Sequence, residues 1–323
     1  VSQTDPELSV ILTSRTGWEP VRRTLDYLAA QTVADRIELV LVLLDGRQPP
    51  GNPPGSVLRL AAHRCVMASE ARSVAEANTA GVRQASAPVV ALAEDHAFPE
   101  PGWAEALLAR HEGRWAVVGP QVRNANPDSL VSWADFVLSY GPFAAGAPGG
   151  EASVAAGHNS SYKRAVLERQ GSGLEDALAA EWVFHGHLCE EGERVFVEPR
   201  AVIAHVNFSR LRPFLHHAFK GGRSGAASRA MRWPLARRLV YAAGCVILPA
   251  LRLARLARAL PPEQRTLVPR MTLPLILAGL VFDAAGQAAG FARADREHVH
   301  GDLLELEIER VRYVSAADAS TLW

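Results

Sequence analysis

Apolar residues fall into short continuous runs separated by stretches of helical spacing. Leu8-Ser-Val-Ile-Leu-Thr13 is an apolar run bounded by turn residues and predicts a buried strand. Ile37-Glu-Leu-Val-Leu-Val-Leu-Leu44 is the strongest strand signal, and its continuity predicts burial on both faces. Val89–Ala93, Trp115–Gly119 and Arg194–Val197 predict further strands, with another at Val57–Leu60 and a strand or loop near Val154. Helices are expected from Glu19-Pro20 to Gln31, where Val21, Leu25 and Leu28 share a face, from Ser69 to Ala85, and from Pro101 to His111. Two more are expected from Tyr162 onward and over Ala177–Glu190, after a flexible loop at 141–150 rich in Gly, Pro and Ala. Alternating strands and helices predict an α/β domain with a mostly parallel sheet. No GxGxxG follows the first strand and no GxxxxGK[ST] occurs, which argues against dehydrogenases and P-loop ATPases.

Composition sets limits. The 323 residues are 48% hydrophobic and 21% charged, which supports a packed core and rules out global disorder. Lys+Arg and Asp+Glu are both 34, so no net field drives the chain onto nucleic acid. The basic residues are nearly all Arg, which with abundant Ala and Gly points to a GC-rich, bacterial genome. Cys65, Cys189 and Cys245 lie far apart, which excludes a disulfide scaffold and a cysteine zinc site and suggests a reducing compartment. No basic stretch followed by an apolar run opens the sequence, so a signal peptide is not expected and the reading is cytoplasmic.

Charge is uneven along the chain. From Arg200 to Pro262 there are twelve cations and no acid. This predicts either a solvated Arg-rich face or a surface for anionic headgroups or phosphates. Leu239–Leu251 and Met271–Phe282 are apolar runs of 13 and 12 residues, shorter than the roughly 20 needed to span a membrane. They are expected to pack on the domain or lie in a membrane interface, with kinks at Pro249 and Pro274. The segment Leu251-Arg-Leu-Ala-Arg-Leu-Ala-Arg258 fits a surface helix whose Arg heads snorkel to the headgroups.

The most informative stretch is Glu94-Asp95-His96, directly after the Val89–Ala93 strand. Ligands bind at the carboxyl ends of strands in open α/β sheets. Carboxylate oxygens and imidazole nitrogens suit a divalent cation such as Mn or Mg, and such an ion can neutralise a diphosphate leaving group. Read alone, the triplet fits a polar turn ending the strand better than a metal site.

Other motifs come in order along the chain. They are Gln31-Thr32, Ile37-Glu38, Asn78-Thr-Ala-Gly81, the triplet with Pro99 and Gly102-Trp103, and Gly157-His158-Asn159 with Arg164. Glu181, Leu188-x-x-x-Gly192 and Pro199 to His205 complete the set. In this order and spacing, over residues 8–225, the chain resembles a family 2 glycosyltransferase of GT-A fold. The resemblance implies a GT-A-like catalytic domain over 1–225 and a helical, Arg-rich, membrane-proximal tail over 226–323.

The resemblance also implies roles. Asp95, with Glu94 and His96, occupies the metal and diphosphate position, and His205 approaches it from the far end of the domain. Glu181 stands where the family places its base, with Asp176 and Glu175 as runners-up. A base is needed because an acceptor hydroxyl is a poor nucleophile until its proton is removed. One carboxylate opposite the leaving group suits inversion. Thr13, Arg15, Asp45 and Asn78 are expected on the donor, and His158 and Asn159 along the donor sugar or acceptor. Arg223, with Arg210, Arg212 and Lys220, is expected on a flexible loop able to close over a diphosphate.

Two departures stand out. The triplet ends in His, which titrates at about 6.5 when unperturbed, where the family has Asp. The family's nucleotide-holding Asp positions are here Leu43 and Leu44, with Asp45 just after. The expected partners are a nucleotide-sugar donor, a hydroxyl acceptor, lipid-linked or of the cell envelope, and an anionic surface on the inner face of the cytoplasmic membrane. A homodimer built on a C-terminal helical hairpin explains the apolar runs as well. The competing functions are a sugar-nucleotide-binding scaffold without chemistry and a sugar nucleotidyltransferase.

Overall fold

The computed structural model describes residues 5–48, 51–293 and 303–322. The strands are β1 (Leu8–Ser14), β2 (Ile37–Leu43), β3 (Ala62–Met67), β4 (Val89–Ala93), β5 (Ala97–Pro99), β6 (Val117–Asn124), β7 (Gly150–Ala152), β8 (Ser161–Lys163) and β9 (Val195–His205). The helices begin with α1 (Arg22–Ala29), α2 (Val74–Val82), α3 (Trp103–His111), α4 (Leu130–Tyr140), α5 (Arg164–Glu168) and α6 (Leu174–Leu178). They continue with α7 (Glu181–Glu190), α8 (Leu211–Ala230), α9 (Leu235–Gly244), α10 (Leu248–Ala259), α11 (Pro262–Leu267) and α12 (Leu273–Arg293). A last helix covers Ala316–Leu322. The chain forms two compact units, Val1–Arg123 with Pro148–His205, and Asn124–Ala147 with Val206–Trp323. The boundary expected at residue 225 therefore falls inside the continuous helix α8.

The first unit is built on a nine-stranded sheet of order β3-β2-β1-β4-β8-β6-β9-β5, with β7 also on β9. β3, β2, β1 and β4 run parallel. β8 is antiparallel to β4 and β6, and β5 and β7 are antiparallel to β9, so the sheet is mixed. β1 and β2 are buried along their whole length, as their unbroken apolar runs predict. Helix α2 lies close on them. A Cβ at Gly81 would meet Ile11 Cγ2 at 2.4 Å and Val42 Cγ2 at 2.9 Å. Ile11, Val40, Val42, Val90, Leu92 and Tyr162 lie in one buried cluster, where each large apolar side chain contributes about 1.5–3 kcal/mol.

Several elements differ from expectation. Val57–Leu60 is not a strand but begins with a 3-10 turn, Val57–Arg59; the edge strand comes next as β3, whose side chains are exposed or half-buried. No apolar run marks such an edge. Helix α2 starts at Val74 because Ser73 caps it, its Oγ accepting from the Glu76 N–H at 3.1 Å, while the Glu76 carboxylate accepts from the Arg72 N–H at 2.8 Å. Tyr162 lies on β8, and the helix begins two residues later. The helix expected over Ala177–Glu190 is two helices, broken at Ala180, whose backbone leaves the helical region. Glu38 is fully buried on β2. Burial alone would raise its carboxyl, but hydrogen bonds from Ser9 and the Ser86 N–H, with the Arg64 guanidinium, hold it below the usual range.

The second unit is helical. Its two chain segments are tied by buried amides: Asn207 Nδ2 donates to Asn124 Oδ1, and Asn126 Nδ2 to the Asn207 carbonyl, each at 2.9 Å. The Phe208 N–H donates to Asp135 Oδ2 on α4 at 2.9 Å. α8 and α12 meet backbone to backbone. A Cβ at Gly286 would lie 2.0 Å from the Phe219 carbonyl, and one at Gly222 would lie 2.3 Å from the Asp283 carbonyl. Phe219 to Ser224 therefore sits inside α8 rather than on the expected loop. Gly222 is a packing glycine there, not a hinge.

The apolar runs extend into longer helical stretches than the sequence suggested. Leu235–Ala259 and Arg270–Arg293 are each long and apolar enough to cross a membrane, by length and composition. Pro249 and Pro274 stand at the starts of α10 and α12, where a missing N–H costs nothing, so Pro274 interrupts no helix.

Two buried histidines of the first unit link stability to pH. His111 sits between the Trp115 carbonyl and the Ser161 hydroxyl. His185 Nδ1 accepts from the Ala155 N–H at 3.3 Å, so its Nε2 carries the proton and donates to Tyr162 Oη at 2.9 Å. Burial pushes both imidazoles down to about 4. The unfolded chain then binds more protons than the folded one between about pH 6.5 and 4. Stability is full above that window and is lost as pH falls through it, with a slope approaching about 2.7 kcal/mol per pH unit for two protons. Denaturant unfolding across this range is expected to show that slope, and His111→Gln is expected to reduce it by about half.

Candidate active site

The site forms where β4 ends. Glu94, Asp95 and His96 turn the chain from β4 into β5, and Thr24 Oγ1 of α1 holds the turn by donating to the Asp95 carbonyl at 3.1 Å. β5 pairs with the end of β9 in a register that sets Ala97 opposite His205. The His205 ring thereby meets the His96 ring edge to face, with centroids 4.8 Å apart. Glu94 faces both: its Oε1 is 3.6 Å from His96 Nε2 and its Oε2 is 3.4 Å from His205 Nε2. All four side chains are buried.

Asp95 takes a different position from its neighbours. Its Oδ1 lies 2.6 Å from His96 Nδ1, which leaves His96 Nε2 toward Glu94 and His205. Ligand atoms of Glu94, His96 and His205 all lie within 4.8 Å of one another, an arrangement that could hold a metal ion. Burial alone would raise the Glu94 carboxyl, but the imidazoles of His96, His158 and His205 hold it well below the usual range.

A second carboxylate approaches through Gly157-His158-Asn159. Asn159 adopts a left-handed backbone, φ 68°, and its N–H donates to the Leu92 carbonyl at 2.7 Å. Its side chain donates from Nδ2 to Glu94 Oε2 at 2.6 Å. His158 Nδ1 lies 3.8 Å from Glu181 Oε2 at the start of α7. Gly157 makes room for that carboxylate, since a Cβ there would lie 2.3 Å from Glu181 Oε2. One short segment thus contacts both the Glu94 cluster and Glu181.

The family model for glycosyl transferase family 2 matches residues 9–171, half of the chain. The chain belongs to the family 2 glycosyltransferases. No curated protein sequence matches it. Among solved structures, this glycosyltransferase is similar to a mannosyltransferase from Pyrobaculum calidifontis solved in complex with GDP-Man and Mn2+. The identity is 19% and the TM-score 0.50, over 88% of this chain and 87% of that one. That likeness supports the GT-A-like fold.

The other expected residues of this glycosyltransferase are spread over several elements. Thr13 is buried near the end of β1, and the ladder continues past both strands. The Leu44 N–H donates to the Ser14 carbonyl and the Asp45 N–H to the Arg15 carbonyl, both at 3.1 Å. Thr13, Arg15 and Asp45 are therefore neighbours at the carboxyl ends of β1 and β2. Leu43 is fully buried, whereas Asp45 is exposed. Asn78 is buried on α2. Asp176 and Glu175 stand exposed on α6, whereas Glu181 is buried. Arg223 lies on α8, so the expected loop closure has no loop. Sequence reasoning missed the Asp95–His96 pairing and the role of Gly157 beside Glu181. The Gly-His-Asn motif was the available signal for the second.

Gly157→Ala is expected to displace the Glu181 carboxylate and cut glycosyl transfer by about 100-fold, since small misplacements of reacting groups cost that much. The melting temperature is expected to stay nearly unchanged. Steady-state kinetics beside thermal denaturation checks both.

Proposed function

We propose that this glycosyltransferase moves a sugar from a nucleoside diphosphate donor to an acceptor hydroxyl in one inverting displacement, with Glu181 as base. The observation that carries this reading is the 157–159 segment, which contacts the buried Glu181 carboxylate and the Glu94 cluster together. In this reading Glu181 takes the acceptor proton as the oxygen attacks the anomeric carbon. The new C–O bond forms as the bond to the diphosphate breaks, and the nucleoside diphosphate leaves. Thr13, Arg15, Asp45 and Asn78 hold the nucleotide, and His158 and Asn159 line the sugar.

Glu94, His96 and His205 would hold a divalent cation, and the convergence of their ligand atoms fits one. When bound, such an ion neutralises charge on the departing diphosphate. Asp95 acts through His96 by fixing its ring, as carboxylates behind ligating histidines do. Two imidazoles and one carboxylate favour Mn over Mg. The Mn2+ in the Pyrobaculum structure supports the same metal class.

We further place the second unit on the anionic inner face of the cytoplasmic membrane. Val240, Val246 and Met271 are 70%, 82% and 76% exposed, and Arg252, Arg255 and Arg258 punctuate α10. Cations interspersed among exposed apolar residues fit a helix lying in the interface.

Glu181→Gln is expected to lower kcat by roughly 100-fold or more, the typical contribution of a positioned base, with the melting temperature kept. Product analysis by NMR is expected to show an anomeric configuration opposite to the donor's. Full activity in the variant, or retention in the product, overturns the reading.

A further inference from the structure

The second unit contains a cavity of about 540 Å³, within the size range of small-ligand sites. Its lining combines the cations Arg210, Arg212 and Arg312 with the apolar Leu211, Leu306 and Tyr313. The cavity is fixed where α8 begins. Arg210 Nη1 donates to the Arg312 carbonyl at 3.2 Å, tying the start of α8 to the turn at Arg310–Tyr313.

The charges around this cavity are not balanced internally. Arg312 pairs with Glu309 at 2.5 Å, but Arg212 has no acidic partner among the described residues. His216, which also lines the cavity, comes one helical turn after Arg212, and Lys220 comes one turn after His216. Burial, and then the charges of Lys220 and Arg212, push the His216 imidazole below its usual range. Like charges four residues apart cost a helix a few tenths of a kcal/mol per pair. An arriving anion removes that repulsion. Guanidinium forks match the oxygens of a phosphate in geometry as well as charge.

We propose that this cavity binds the phosphate headgroup of a membrane lipid. Arg210 and Arg212 take the phosphate, and Leu211, Leu306 and Tyr313 cover the first carbons of the attached chain. The apolar wall favours a lipid phosphate over free phosphate. Its test needs no sugar donor, so it stands or falls independently of the transfer reaction.

The probes are hexyl phosphate and inorganic phosphate, titrated calorimetrically into the full chain. Co-sedimentation with phosphatidylcholine vesicles, with and without phosphatidic acid, gives the membrane arm. The expected result is saturable binding of hexyl phosphate, with inorganic phosphate at least about tenfold weaker. Arg212→Gln, which removes no hydrogen bond or ion pair among the described residues, and the Arg210→Gln/Arg212→Gln pair are expected to weaken hexyl phosphate at least about tenfold, one charge-assisted hydrogen bond's worth. Both are also expected to reduce sedimentation with phosphatidic acid vesicles. Arg59→Gln/Arg83→Gln, which removes the same charge from exposed positions of the first unit, is expected to change neither. Unchanged hexyl phosphate binding in Arg212→Gln overturns the proposal. So does inorganic phosphate binding as tightly as hexyl phosphate, or an equal loss in the Arg59/Arg83 pair.

Discussion

Three backbone pairs between β5 and β9 carry His205 to the turn that holds Glu94 and His96. The two histidines are more than a hundred residues apart in the chain, and a one-residue slip would turn the His205 side chain to the other face of the strand. The rest of the site is arranged around this register. Gln31, just past the end of α1, secures the segment after β5, donating from Nε2 to the Glu100 carbonyl at 2.9 Å and accepting the Ala104 N–H at 3.0 Å.

Burying a carboxylate and two imidazoles together is costly unless each is matched. The structure meets that demand from several directions. Asn159 satisfies one oxygen of Glu94, and Asp95 satisfies the far side of His96. The left-handed backbone at Asn159 is the local strain that this arrangement requires, and Asn tolerates it better than most residues. The same segment then places Gly157 against Glu181, so the electrostatics of the Glu94 cluster and the position of Glu181 are coupled through three residues.

Much of the fold and the site was legible in the sequence. β1, β2 and β4 are buried on both faces and so read as unbroken apolar runs. The order of motifs singled out Gly157-His158-Asn159, Glu181 and His205 as candidates, and the structure brings Asn159 and His205 to Glu94 and His158 to Glu181. The features that stayed hidden have physical causes. β3 is a half-exposed edge, and β5 is three residues long, too short for any period. β8 carries Ser161, whose hydroxyl donates to the Val118 carbonyl at 3.0 Å in the core; its polarity hid the strand. The Gly221-Gly222 pair reads locally as a loop, yet both residues are helical, and at Gly222 the close approach of α12 leaves no room for a side chain. The Asp95–His96 pairing depends on ring orientation, which no spacing encodes.

The most direct test is thermal-shift binding of a panel of nucleoside diphosphates, with and without Mn, on the wild type and His96→Ala. A stabilisation by one diphosphate that requires Mn and disappears in the variant is the predicted result. A stabilisation of equal size without metal, or one that survives in His96→Ala, would contradict a donor site built on Glu94, His96 and His205.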